Sequence, residues 1–492
     1  MQSRKQITAT YSPKRASLAL VLSMVMLLFV GCGKSSKNET TSSAVNSTVS
    51  ASTTQASTQT DPSGSKKVQT EATEGKGFLQ GLKRLLKGES KKEQSDKPAH
   101  FGEQGKKWAL ELATNYPDRF AGSEQEKKAA DYLFSKLQEL GYEVERQEFQ
   151  FTVNEETYTS RNLNATIKGV GMQKAATDVL HANKKREVAT LPADVEQYFN
   201  VIGAHYDTPN HGEVVDGVED IADGIHDNAS GVASLLVLAA NVQKTPPVYD
   251  TKLVFFGAGS AKNQPGASHY LSQLSDADKG HIACMYNVDS IYAGNKVYAH
   301  SGWSSVQKGE QIDYNLRDPL YNMLEVYYQN RLLTNNNFEL YTNQNTSKVP
   351  FFEDGEKAIY REWTNNVSDH TPFDRAKIPV VYLESYEYNN KVSDLKREST
   401  DPGFSAVGGN IKGSALDSSS FLQNYFSSTS AEQVDPFGTD ATAPTGDAQT
   451  SDQLDKKNDP EINDRLINRI NNVAFLLQQS IRFAPVGYEV RK

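Results

Sequence analysis

Short apolar runs alternating with helical stretches constrain this chain most. Residues 162–167, 199–204, 253–257, 281–288 and 378–383 each read as a short, largely apolar strand. Helical segments separate several of them. Residues 231–241 put Val232, Leu235, Leu236 and Ala239 on one face, and 319–333 form another helix. Upstream, Ser123 with Glu126 three residues later has the pattern of a capping box. Ala129, Ala130, Leu133, Leu137 and Leu140 follow at helical spacing, and Gly141 is a helix stop. The alternating stretch 142–151 reads as a strand. A final helix carries Ile462, Leu466, Ile470, Val473, Leu477 and Ile481 as an apolar stripe that closes the core. Strands alternating with helices predict an α/β fold of three layers: a mostly parallel central sheet with helices on both faces. Cys284 lies inside one strand and reads as core.

The two ends of the chain differ in kind from this middle. Arg4, Lys5, Lys14 and Arg15 precede an apolar stretch, 18–30, too short for a comfortable membrane span. Gly31-Cys32 follows it, as in a bacterial lipobox. The expectation is a signal peptide over 1–32, a lipid attached to Cys32, and export to the outer face of the bacterial cytoplasmic membrane. Residues 33–99 read as a disordered Ser/Thr-rich tether, because such a composition buries too little apolar surface to offset its ordering entropy. Within it, 77–92 has a basic amphipathic character, with Phe78, Leu82, Leu85 and Leu86 on one face. The folded domain is expected over 100–396 and 460–492. Residues 397–459, rich in Ser, Asp, Thr, Gly and Pro, read as a low-complexity insertion. The net charge of −9 argues against a nucleic-acid partner.

Five potential metal ligands sit where such a sheet would gather them. His205 and Asp207 follow the run 199–204, and Asp289 follows 281–288. Asp227 precedes the helix 231–241, and His370 lies before the run 378–383. Ligands of open α/β sheets bind beyond the C-terminal ends of the strands. Taken singly, each residue has an ordinary explanation, and Asp227 could simply cap its helix.

The blocks Val201-Ile202-Gly203-Ala204-His205-Tyr206-Asp207, Asp227-Asn228-Ala229-Ser230-Gly231, Val254-Phe255-Phe256-Gly257-Ala258, Asn287-Val288-Asp289 and Ser368-Asp369-His370-Thr371-Pro372-Phe373 together resemble the co-catalytic zinc aminopeptidases. That family includes secreted bacterial leucyl aminopeptidases, glutamate carboxypeptidase and the glutaminyl cyclases. The resemblance implies a zinc-exopeptidase-like fold and one or two zinc ions. His205 and Asp289 would hold one ion, His370 the other, and Asp227 would bridge. Asp207 would orient His205 through its second ring nitrogen. The substrate would be a peptide or protein.

The chain departs from that pattern at Gly259 and Ser260. There the family places two glutamates, as general base and as ligand of the second zinc. No Asp or Glu lies anywhere in 252–273 to replace them. Glu362 and Glu384, which flank the His370 block, are the candidate substitutes. The expected function is an exported, membrane-anchored zinc aminopeptidase whose base is missing or rearranged. The alternative is a catalytically inactive pseudo-peptidase acting as a cell-surface binding or scaffolding module.

Overall fold

The computed structural model describes residues 101–175, 193–209, 222–305, 314–334, 338–342, 347–349, 358–360, 367–388, 397–429 and 464–482. All of them belong to one compact unit, Ser95–Lys492. The expected signal peptide, the tether with its amphipathic segment, and Glu362 lie outside the described residues.

The chain opens with α1 (Gln104–Asn115) and α2 (Glu124–Glu139). Ser123 caps α2, accepting from the Glu126 amide at 3.0 Å. The other half of the capping box is diverted. The Glu126 carboxylate accepts instead from Gly122 N (2.6 Å), Ser160 Oγ (2.7 Å) and Ala258 N (2.8 Å), which ties α2 to the sheet. Strands β1 (Val144–Val153) and β2 (Glu156–Ile167) form an antiparallel hairpin. Then come β3 (Phe199–His205), α3 (Ser230–Val242), β4 (Asp250–Phe256), α4 (Pro265–Ser272), α5 (Asp276–Gly280) and β5 (Ile282–Asp289). The remainder is β6 (Lys296–Ser301), α6 (Asp318–Thr334), β7 (Leu340–Tyr341), the separate pair β8 (Ser347–Val349) and β9 (Ala358–Tyr360), α7 (Thr371–Arg375), β10 (Val380–Tyr386), α8 (Ser419–Thr429) and α9 (Arg465–Arg482).

The eight-stranded sheet runs β1-β2-β4-β3-β5-β10-β6-β7. Its centre, β4-β3-β5-β10, is parallel, while β1-β2, β2-β4 and β10-β6 pair antiparallel and β6-β7 is again parallel. The sheet is therefore mixed, and the parallel expectation applies to its middle. Period-two alternation sends side chains to two cores. Ile202, Phe255, Cys284, Tyr286 and Leu383 pack with α1, α2, α3 and α9 on one face. Val201, Phe256, Met285 and Val380 pack with Tyr270, Leu271 and Phe373 on the other. Cys284 is buried core, as expected. Gly231 lets α3 start close to β5, since a Cβ there would lie 2.7 Å from Val288 O.

One expectation is corrected. Residues 397–429, read as part of a low-complexity insertion, belong to the core: Phe404, Ile411, Leu416 and Leu422 are all buried in it. Their apolar residues are few, and the large ones are buried or half-buried against the core. The polar ones act as acceptors and caps, so composition alone gave the wrong answer. Residues 430–459 lie outside the described residues.

Candidate metal centre

His205 ends β3 and Asp289 ends β5, so two neighbouring parallel strands deliver them to one rim. Asp227 arrives from the turn Ile225–Ala229 ahead of α3. It does not cap that helix: Ala229 is the cap residue and no side chain caps there. Asn228 holds the turn against β5, donating to Val288 O at 2.8 Å and accepting from Ser290 N at 2.9 Å. The ligand atoms of His205, Asp227 and Asp289 lie within 4.8 Å of one another, and all three residues are buried. His205 Nε2 is 3.1 Å from Asp227 Oδ1 and 3.6 Å from Asp289 Oδ1.

Asp207 stands behind His205, with Oδ1 3.3 Å from Nδ1 and the backbone carbonyl 3.1 Å from it. Its carboxylate accepts from Gly259 N (2.7 Å), Ser260 N (3.0 Å) and Ser260 Oγ (2.5 Å). The two residues at the expected glutamate positions thus hold Asp207 in place. Gly259 is also tightly enclosed. A Cβ on it would lie 2.2 Å from His205 Cβ and 2.9 Å from Asp369 Oδ1.

His370 is buried at the start of α7, apart from the three clustered ligands. Its ring stacks on Tyr382 with centroids 4.3 Å apart, and its Nδ1 is 3.4 Å from Asn287 Nδ2. Asn287 in turn donates to Ser368 Oγ (2.7 Å), which donates to Asp289 Oδ2 (2.6 Å). His370 therefore reaches the cluster through a short polar relay. Glu384 pairs with Asp289 across β10 and β5. Its carboxylate is engaged by Tyr382 (3.0 Å), Tyr388 (2.5 Å) and His300 Nε2 (3.1 Å), which leaves little room for it to act as a base.

Three groups escaped the sequence reading. The first is Asp369, fully buried, whose two carboxylate oxygens find no hydrogen-bond donor among the described residues. Burial pushes its pKa up to about 7. The motif Ser368-Asp369-His370 could have signalled it. The second is Lys412, whose Nζ donates to Asp289 Oδ1 at 2.8 Å and lies 3.9 Å from Asp227 Oδ1. Burial opposes its charge, but Asp227 and Asp289 outweigh that and raise its pKa. The third is Asp417, which accepts from the amides of His226 (2.8 Å) and Asp227 (3.0 Å) and so fixes the Asp227 turn. The last two lie in the segment whose composition suggested disorder, and no local signal marks either.

Burial alone would raise the pKa of Asp289, but Lys412 and His205 hold it well below the usual carboxylate range. His205 is desolvated, which disfavours its charge, yet Asp207, Asp227 and Asp289 together raise its pKa well above the ordinary value. The cluster is thus built for positive charge. One imidazole and two carboxylates suit zinc, and three protein ligands leave a coordination position open. The unpartnered Asp369 carboxylate points the same way, since a buried anion without donors is costly unless a cation sits nearby.

A buried His/Asp/Asp cluster at the strand ends of an α/β sheet is a candidate metal centre. Residues 187–401 match Peptidase family M28. The chain is similar to that family over this stretch, which carries His205, Asp227, Asp289 and His370, and the donor set suits zinc. The alkaline phosphatase isozyme conversion protein of Escherichia coli is 26% identical over 314 residues, spanning 63% of this chain and 80% of that protein. An aminopeptidase of Pseudomonas aeruginosa is 28% identical over 139 residues, 27% of this chain and 22% of that one. Among solved structures, a zinc aminopeptidase from Bacillus subtilis aligns at 13% identity and a TM-score of 0.41, over 68% of this chain and 94% of that chain. A glutaminyl cyclase from Fimbriiglobus ruber aligns at 14% and 0.43, over 80% and 97%.

Proposed function

We propose that this chain is an exported, lipid-anchored zinc aminopeptidase that removes N-terminal residues from peptides. The observation that carries the reading is the convergence of His205, Asp227 and Asp289 within 4.8 Å in an M28-type region. These three residues would hold zinc. Bound there, the ion would supply Lewis-acid polarisation of a scissile carbonyl. Asp207 keeps the His205 ring oriented with Nε2 toward the carboxylates. Gly259 and Ser260 provide no base. We assign that task to Asp369, the buried carboxylate that faces the Gly259 position, where it can take up and release a proton.

A second reading has its own support. Gly259 is packed against His205, and Ser260 is committed to Asp207, as in a centre kept for shape. It would make the chain an inactive binding or scaffolding module. One experiment separates the two: zinc content and aminoacyl-nitroanilide hydrolysis of the purified chain, with Asp227→Asn beside it. The enzyme reading expects bound zinc and turnover, with Asp227→Asn losing both. Zinc-loaded protein without turnover favours the module.

A further inference from the structure

The strongest departure from a two-zinc centre is a cation supplied by the chain itself. Lys412 Nζ lies 2.8 Å from Asp289 Oδ1 and 3.9 Å from Asp227 Oδ1. It shares Asp289 Oδ1 with Ser290 Oγ (2.7 Å), and that oxygen is also 3.6 Å from His205 Nε2. A metal held by His205, Asp227 and Asp289 would draw on the same oxygens. Nor is the lysine there by chance of a loose loop. Its backbone amide donates to Glu398 Oε2 at 2.7 Å, beside that of Ile411 at 2.5 Å. Glu398 Oε1 is 3.0 Å from the buried His226, one residue before Asp227. The loop bearing Lys412 is thus fastened to the turn that delivers a ligand.

The charges make the consequence plain. Relative to the expected pattern, the centre has lost two carboxylates, at Gly259 and Ser260, and gained one ammonium. It is three units more positive before any metal binds. A first dication still finds two carboxylates and an imidazole. A second finds Asp227 already shared, the glutamate ligand gone, and a fixed positive charge alongside.

We propose that Lys412 is a built-in cation that takes over the charge of one metal, so that the centre accepts a single zinc ion. The proposal rests on the zinc reading above and sharpens it to a stoichiometry. In the metal-free chain the ammonium neutralises the carboxylate pair, and on loading it competes for Asp289.

The test uses the full chain, stripped with EDTA and titrated with zinc against a chromophoric chelator, as wild type, Lys412→Met and Lys412→Arg. Wild type is expected to bind one zinc per chain. Lys412→Met should bind its zinc at least tenfold tighter, and Lys412→Arg should stay near wild type. Thermal unfolding supplies an independent readout. Metal-free Lys412→Met should unfold below wild type, and the gap should close when zinc is added, whereas a merely structural lysine would lower both forms alike. Two zincs on wild type overturn the proposal, even if Lys412→Met cannot be folded. One zinc on both proteins with equal affinity overturns it and leaves the zinc reading standing. No zinc on either protein removes both.

Discussion

At the scale of single residues, Gly259 and Asp369 must be considered together. No side chain fits at 259, because a Cβ would overlap His205 Cβ at 2.2 Å and crowd Asp369 Oδ1 at 2.9 Å. Restoring the family glutamate by Gly259→Glu is therefore expected to cost about 1–3 kcal/mol through overpacking and to gain no activity. Urea unfolding together with a hydrolysis assay checks both halves. Asp369 carries the opposite expectation. Its folded pKa is raised to about 7, above the ordinary carboxylate value, because burial disfavours the charge. Its contribution to stability is whole below about pH 4 and is lost as pH rises through about 7. Metal-free Asp369→Asn should match wild type near pH 4 and exceed it at pH 8 by on the order of 4 kcal/mol. If Asp369 is the base, the same substitution lowers kcat about 10²–10⁴-fold while zinc content holds. Unchanged kcat in the zinc-loaded variant would remove it from that role.

At the scale of elements, the centre depends on how segments far apart in the chain are tied. Buried Arg119 donates to Tyr206 O (2.6 Å), Asp223 O (2.6 Å) and Gly224 O (2.8 Å), and so joins the exit of β3 to the approach of Asp227. From the other side, Asp417 receives the amides of His226 and Asp227. Asp417→Ala leaves two buried amides without acceptors, each costing about 1–3 kcal/mol. The same change should also weaken zinc binding, since Asp227 loses its fixed backbone. Equilibrium unfolding and a chelator competition measure the two effects. A variant that loses stability but keeps full zinc affinity would show that the turn is held by Asn228 and Arg119 without help. Element boundaries followed their local chemistry closely. The helix expected over 231–241 spans Ser230–Val242, and the strand expected over 281–288 spans Ile282–Asp289. Long apolar periodicity is a local property, so it survives folding unchanged.

At the scale of the whole molecule, the described domain carries the proposed metal centre, and the N-terminal residues carry the proposed address. The lipobox reading predicts that Cys32→Ser shifts the chain from the detergent phase to the aqueous phase on partitioning. An unchanged distribution would mean that Cys32 does not anchor it. Within the domain, the last helix shows how remote residues complete the core. Ile467, Ile470, Val473, Leu476 and Leu477 are buried. Arg469 donates to Ile291 O (3.0 Å), Tyr292 O (2.8 Å) and Gly294 O (2.7 Å), which pins the helix to the stretch just beyond Asp289.

The sequence by itself determined the layered α/β class, the main strands of the sheet centre, and the placing of His205, Asp227 and Asp289 beside them. Periodicity, capping residues and short motifs are written locally, and His205, Asp227 and Asp289 follow from them. It also exposed the absence of acid at Gly259 and Ser260. Only the tertiary structure decided what stands in that space. Asp369 became relevant by facing Gly259 across the site, and Lys412 by reaching Asp289 from 123 residues away. The segment around Lys412 and Asp417 looked unstructured because few of its residues are apolar. Its order comes instead from charged and polar contacts to distant chain, and such pairings have no period to read.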